Sequence, residues 1–493
     1  MSEPAGSWSR SAVAAATRRG VAWKLASLTL THAVRLVALV VVARALTPRE
    51  LGLAVLALSC WALVGVVMDF ALAAALVQRR EIDEEARSTA FWSGAALGIV
   101  LAAAGVAASG AIASLFEEPR LRWLIVALAA GMVVNALTTT QAALLTRAMD
   151  FRTLELAGMT ATAAGAAVGI SLALSGAGPW AIVGDVLTGA ATYSALLWLR
   201  SDWRPRRVFS RASLRSLAGF ATLLTSTRLV VGVQRALDRL LIGNVFGAGA
   251  SGTYSVAASI VSVPAARLVD PIRGVLFPAF SRLQGAPGDV ADAWLRTTRV
   301  LSALLAPLLL ALFLGADDLV ALVLGARWAE AAPLLEILAI FALFQLAGAL
   351  NAVALAAVDR LGIVLVLFLG ALSISVVGFT LASGDLENAV LGYAAGPALA
   401  APIYVALTAR ALGVSARALL SAYAPAAAGS LGMLVVSGWA VPELSSAAGR
   451  LATIAITGFA TYALLACATS RPLRADLRRA LGRGATRLAA EPS

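Results

Sequence analysis

Cationic side chains lie in a stretch near the start of the chain that is otherwise apolar enough to cross a membrane. Lys24, Thr31 and Arg35 are seven and four residues apart, which at about 100° per residue places them within roughly 40° on one helix face. An ionisable residue at mid-span costs about 2.5–3.5 kcal/mol on insertion scales, and such residues mostly face partners or water-filled cavities. Guanidinium groups present forked donors that suit phosphate and carboxylate. This helix face therefore predicts a binding site for an anion.

The same spacing recurs in the second half of the chain. Arg228, Arg235 and Arg239 are again seven and four residues apart, and Arg267 follows in the next apolar stretch. Two other interpretations stay open: cations near helix ends extend to the membrane surface, and others pair with carboxylates, as Asp238 would with Arg235. The predicted substrate-binding residues are Arg35, Arg228, Arg235, Arg267, Lys24 and Arg239.

Carboxylates inside apolar stretches are candidates for binding a coupling proton or sodium ion. The predicted ion-coupling residues are Asp69, Asp185 and Asp238, although such acids also serve as ion-pair partners. The two cysteines, Cys60 and Cys467, both lie in apolar stretches, so we expect neither a disulfide framework nor a metal site. No cofactor is predicted, because the glycine-rich GAGASG sequence has no strand before it and no P-loop motif occurs.

The apolar content of the chain decides its class. Of the 493 residues 60% are hydrophobic and only 13% are charged, too few to coat a soluble protein of this length. Continuously apolar windows of about 20 residues recur, which is the length that a helix needs to cross roughly 30 Å of hydrocarbon. The windows show no alternation of period two, which excludes a barrel. We predict an all-α polytopic membrane protein with about 14 transmembrane helices.

The distribution of arginine predicts how the chain is oriented in the membrane. With the N-terminus placed in the cytoplasm, 26 cations fall in inner segments and 6 in outer ones. Both termini are therefore expected in the cytoplasm. The net charge of +12 is explained by this topology and predicts no nucleic-acid partner, because the arginines lie in short gaps between apolar windows.

Two lobes of six helices are predicted, followed by two further helices. The N-lobe covers residues 1–200, a basic linker covers 201–216, the C-lobe covers 217–410, and residues 411–493 hold the last two helices and a basic tail. A faint internal repeat at an offset of 200 residues aligns Gly52 with Gly252 and Arg35 with Arg235. Transporters often have this architecture, with the substrate site between the repeats.

Five segments, in order along the chain, resemble the polysaccharide transporter or oligosaccharide flippase family of the multidrug/oligosaccharidyl-lipid/polysaccharide exporter superfamily. The likeness is greatest to the branch that serves colanic-acid-like and teichuronic-acid-like polymers. The segments are ARALTPRELGLAVLAL from Ala43, ALLTRAMDFR from Ala143, LDRLLIGNVFGAGASGTYSVA from Leu237, DPIRGVLFPAFSRLQ from Asp270 and LVLGARWAEAAPLLEILAI from Leu322.

The resemblance implies an activity as well as a fold. It implies alternating access that moves undecaprenyl-pyrophosphate-linked saccharide from the cytoplasmic to the periplasmic leaflet of the bacterial inner membrane, with no enzymatic step. Cavity cations would bind the pyrophosphate or acidic sugars, and Arg35 and Arg228 best match such positions. Membrane lipids are expected partners, and polymerase or chain-length machinery is a further candidate.

Two alternatives remain open at this point. A cation-coupled drug exporter shares the superfamily fold, but its cavity should be acidic or aromatic. A membrane glycosyltransferase, ligase or polymerase generally places catalytic acids or histidines in sizeable loops outside the membrane. The loops between the apolar windows are short, and the one histidine, His32, lies inside the first window.

Overall fold

The chain forms long apolar helices, and no strand occurs in the residues that the structure describes. The structure is a computed structural model and describes residues 10–68, 76, 82–216, 233–234, 236–262, 287–440 and 444–476. It divides into two units, Met1–Gly252 and Thr253–Ser493, which are considered separately below.

Six helices form most of the first unit. Their bounds are α1 (Arg10–Ala45), α2 (Pro48–Met68), α3 (Glu84–Leu115), α4 (Pro119–Arg147), α5 (Phe151–Leu174) and α6 (Trp180–Arg200). Local sequence explains where several begin. Asp83 caps α3 by accepting a hydrogen bond from the Ala86 backbone N–H at 2.8 Å, and Asp150 caps α5 through the Thr153 N–H at 3.1 Å. At the start of α2, the Glu50 carboxylate accepts from the Thr47 N–H at 2.8 Å, as in a capping box.

Residues 236–262 are helical, and the chain reverses direction within them. Gly247 has a φ of +83°, which favours glycine, and the Ser251 hydroxyl donates to the Arg239 carbonyl twelve residues earlier at 3.1 Å. In a continuous helix those two positions would be about 18 Å apart, so the segment is a helical hairpin. The glycine-rich sequence at 247–252 is therefore a tight turn followed by a helix start.

The hairpin crosses α2 with backbone against backbone. A Cβ added at Gly52 would overlap the Ala248 carbonyl, and a Cβ added at Gly252 would overlap the Pro48 carbonyl. The same added Cβ at Gly252 would also lie 2.8 Å from the Gly52 nitrogen and 3.1 Å from its Cα. Only glycine at both positions allows the two helices to approach this closely.

The second unit is built from six further labelled helices. They are α7 (Pro287–Leu314), α8 (Ala331–Ala357), α9 (Leu361–Leu381), α10 (Leu386–Ala411), α11 (Ala416–Ala440) and α12 (Ala447–Thr469). Glycine again allows the closest approach, because a Cβ at Gly378 of α9 would overlap the Gly392 carbonyl of α10, and the reverse also holds. The Trp294 indole N–H donates to the Asn351 side-chain oxygen at 3.0 Å and thereby joins α7 to α8 in the core.

A buried carboxylate ties the end of the described chain to α7. Asp476 is 2% exposed and accepts from Arg296 at 2.8 Å and from Arg299 at 3.3 Å. On the other side of the unit, Arg450 of α12 donates to both oxygens of Asp318. Asp476 and Asp318 are both buried, so each carboxylate would be costly to leave unpaired.

The predicted fold class is confirmed: the chain is an all-α polytopic protein. Among the described residues, eleven helices are long and apolar enough to cross a membrane. The helix Ala331–Ala357 and the 236–262 hairpin add to these, although the count of 14 spans is not confirmed. The predicted domain boundaries at 200/201, 216/217 and 410/411 stay predictions.

Candidate substrate site

Arg35 lies in the middle of the α1 span and is exposed. It is ten residues before the end of the helix at Ala45, a distance of about 15 Å along the axis. Its guanidinium forms no hydrogen bond to any part of the chain that the structure describes. All five N–H donors of the guanidinium are therefore available to a ligand.

Asp185 of α6 is the acidic group that acts electrostatically on this region. Its side chain is half-buried and interacts with Arg35 through a Coulombic attraction, without a hydrogen-bonded contact in the described residues. The attraction compensates part of the cost of each charge while leaving the arginine donors unoccupied. Arg35 of α1 and Asp185 of α6 therefore attract each other without a direct hydrogen bond between them.

Two glycines of α5 make room for Asp185. A Cβ at Gly165 would lie 2.6 Å from the Asp185 carbonyl oxygen and would also overlap its carboxylate. A Cβ at Gly169 would lie 2.9 Å from the Asp185 Cβ and 3.1 Å from the Ala181 carbonyl. Sequence reasoning missed these glycines, although their Gly-x-x-x-Gly spacing is a known sign of close helix packing. Any side chain at either position would displace the acid.

Other polar groups of α1 and α5 have local partners. The His32 ring nitrogen Nδ1 lies 2.5 Å from the Leu28 carbonyl one turn earlier, so the ring hydrogen-bonds within its own helix. The Arg152 guanidinium lies over the Trp23 ring, 5.7 Å from its centroid. This cation–π contact, made just before the apolar part of α1 begins at Ser27, is a second feature that the sequence did not reveal.

The remaining predicted site residues are placed only in part. Arg239 and Asp238 are half-buried in the 236–262 hairpin, where the Asp238 carboxylate accepts from the Arg239 backbone N–H at 2.7 Å. The backbone of Lys24 lies in α1, but its side chain is outside the described part. Arg228, Arg235, Arg267 and Asp69 also lie outside the described residues. Whether all these charges share one cavity stays a prediction.

Comparison with known proteins identifies the family. A model of the family described as "Polysaccharide biosynthesis protein" matches residues 41–333, which is more than half of the chain. The chain belongs to this polysaccharide biosynthesis protein family. The predicted family resemblance is thereby confirmed, and with it the placement of the chain among multi-pass membrane proteins of polysaccharide biosynthesis. Lys24 and Arg35 lie before the matched region. The matched region contains Asp185 and the predicted cations Arg228, Arg235, Arg239 and Arg267.

Two relatives of this family member have names that state the biosynthetic process they serve. It is 26% identical over 322 residues to the succinoglycan biosynthesis transport protein ExoT of Rhizobium meliloti strain 1021, an alignment that covers 65% of each chain. It is 28% identical over 338 residues to the lipopolysaccharide biosynthesis protein WzxC of Escherichia coli strain K12, covering 67% of this chain and 68% of WzxC. The alignment with ExoT spans just under two thirds of the length of ExoT.

A solved structure shares the fold. The lipid II flippase MurJ in its inward closed conformation matches with a TM-score of 0.72 over 92% of this chain and 99% of that one. The sequence identity is 11%, so the match concerns the fold alone. It covers both units of the family member.

Proposed function

We propose that this protein moves lipid-linked saccharide units from the cytoplasmic to the periplasmic leaflet of a bacterial inner membrane by alternating access, without an enzymatic step. The family match over residues 41–333 is the observation that carries the proposal. The name of ExoT as a transport protein of succinoglycan biosynthesis and the fold shared with a lipid II flippase support it.

The chemistry of α1 suits such a cargo. Undecaprenyl-linked saccharides carry a pyrophosphate, and an arginine with free forked donors binds phosphate oxygens in a bidentate manner. Arg35 offers these donors at mid-span. Arg228, Arg235, Arg267, Lys24 and Arg239 are proposed to complete the cationic surface that the cargo contacts.

Both termini are proposed to lie in the cytoplasm, as the arginine distribution favours. Because the cytoplasm is electrically negative, the membrane potential favours outward movement of an uncompensated anion by about 2.3 kcal/mol per charge per 100 mV. A polymerase or chain-length protein that receives the saccharide on the outer side is a proposed partner.

The direct test follows labelled lipid-linked oligosaccharide in cells that lack the protein. We expect the intermediate to accumulate on the inner leaflet, where an impermeant reagent added to inside-out vesicles modifies it. Restoring the intact gene should return it to the outer leaflet. Loss of the lipid-linked intermediate itself would instead indicate a synthetic enzyme and would contradict the proposal.

Asp185 is proposed as the residue that couples transport to an ion gradient. It is an acid in a membrane span, and Gly165 and Gly169 of α5 leave room for its side chain. Asp185→Asn should slow flipping at least about tenfold and make the remaining rate insensitive to collapse of the proton gradient, because the amide cannot exchange a proton. The rate is measured in vesicles with and without a protonophore.

Asp202→Asn is the matched control, since Asp202 is exposed on the basic linker outside the spans. This variant should keep the normal flipping rate and should still respond to collapse of the proton gradient. If the protonophore changes the flipping rate of the Asp185 variant as much as that of the intact protein, Asp185 is excluded as the coupling residue. It would then remain only an electrostatic partner of Arg35. Asp69 and Asp238 would then be the remaining proposed coupling residues.

A further inference from the structure

The basic linker, residues 201–216, is fixed to the first turns of α3. The Arg206 backbone N–H donates to the Ser88 hydroxyl at 3.1 Å, and its carbonyl accepts from the Trp92 indole at 2.7 Å. The Ser210 N–H donates to the Thr89 hydroxyl at 3.0 Å. Ser88 and Thr89 are buried. The path of the linker is therefore set by specific bonds to a membrane helix.

Aromatic side chains hold the beginning of the linker. The Phe91 ring lies edge-on to Trp198, with centroids 5.9 Å apart, and to Trp203 at 6.1 Å. The Trp203 indole donates to the Glu84 carboxylate at 2.9 Å. The Arg204 guanidinium lies 5.5 Å from the centroid of Trp198, so this arginine is part of the cluster. Tryptophan and arginine of this kind are typical of the membrane–water interface.

The linker presents both apolar and cationic side chains away from α3. Val208 is 43% exposed and Phe209 is 53% exposed, and they are adjacent in the middle of the segment. Four exposed arginines surround them in sequence: Arg206, Arg207, Arg211 and Arg215. Apolar residues flanked by exposed arginines are the composition that binds an anionic lipid surface, with the apolar groups at the acyl boundary and the cations on the headgroups.

We infer that the basic linker is a membrane-surface anchor that binds anionic phospholipid headgroups, with Val208 and Phe209 inserted into the bilayer interface. Its position supports a lipid partner, because the linker starts where α6 ends and is bonded where α3 begins. Both are helix ends of candidate membrane spans, so the headgroup layer lies beside them. The linker binds lipids of the bilayer itself, so this inference does not depend on which cargo is transported.

The insertion is tested with the full-length protein in nanodiscs of phosphatidylcholine with phosphatidylglycerol. A fluorophore is attached at Phe209→Cys in a Cys60→Ala/Cys467→Ala background, and at Asp202→Cys as a control on the same linker. Lipids brominated near the headgroup should quench the label at 209 at least about twofold more than the label at 202, and aqueous iodide should show the reverse order. Equal access of iodide to both labels would overturn the insertion of Phe209.

The charge preference is tested by the lipids that remain bound to the purified protein in native mass spectrometry. Arg207→Gln/Arg211→Gln should lower retention of phosphatidylglycerol relative to phosphatidylcholine at least about tenfold, since each arginine near a membrane surface contributes about fivefold. The matched control, Arg207→Lys/Arg211→Lys, keeps both positive charges at the same positions of the linker. It should change retention less than twofold. Similar losses in both variants would overturn the headgroup site, whatever the cargo proves to be.

Discussion

Replacing Arg35 by glutamine should lower the rate of lipid-linked saccharide flipping about tenfold to a hundredfold while the protein still folds. A hydrogen bond between charged groups contributes about 1.5–3 kcal/mol, which corresponds to that range of rates if the pyrophosphate contact is lost. Folding should tolerate the change, because the exposed guanidinium makes no hydrogen bond within the described chain. Initial flipping rates in vesicles, normalised to protein level, measure the effect.

Two matched variants separate the site from a general loss of positive charge. Arg35→Lys keeps the charge but not the forked geometry, and we expect an intermediate rate. Arg152→Gln removes another exposed cation of the first unit, one that stacks on Trp23, and should flip at close to the normal rate. A normal rate for Arg35→Gln would contradict the cationic site on α1, even if the leaflet assay still showed a flippase.

Substituting leucine for Gly52 should destabilise the first unit by about 3 kcal/mol or more. A new side chain there meets the Ala248 carbonyl and the Gly252 nitrogen, and no rotamer change can move backbone atoms aside. For a unit of this size, such a loss lowers the Tm by roughly 6–12 °C. Thermal unfolding of the detergent-solubilised protein measures the shift.

Gly110 of α3 provides the control for Gly52. A Cβ at Gly110 would meet nothing within 4 Å, so Gly110→Leu adds the same side chain to a helix without a clash. Since glycine is a poor helix former, the Tm of this variant should stay the same or rise slightly. If both leucine variants unfold at the same temperature, the close crossing of α2 with the hairpin is absent from the folded protein.

Helix positions were largely predictable because a continuous apolar window is a strong signal. The apolar windows that begin at Trp180 and Leu361 predict spans there, and α6 and α9 begin at these residues. A helix with polar first turns starts before its apolar window: the window near Val300 predicts a span that starts there, but α7 begins at Pro287. Its first turns carry Asp289, a charge that hydropathy excludes from a span but that a helix extending beyond the hydrocarbon accommodates.

The site was predictable as a set of residue types and not as an arrangement. The cost of placing a charge inside a membrane span marks Arg35 from sequence alone. That Asp185 would be its electrostatic partner depends on how α1, α5 and α6 pack, and no spacing along the chain connects residues 150 positions apart. The glycines of α5 carried the missing signal, since Gly165 and Gly169 mark the helix face that approaches a neighbour most closely.

The crossing at Gly52 has the form of a contact between two copies of one surface. Gly52 meets Ala248 and Gly252 meets Pro48, so each contact maps onto the other when 200 is added to one number and subtracted from the other. Such reciprocity is the rule at a two-fold axis. Reciprocity of this kind is expected if an ancestor half as long paired with itself at this glycine before duplication joined the copies. Gly52 and Gly252 should then vary together among homologues. A homologue with a side chain at either position should lack the close crossing of these helices.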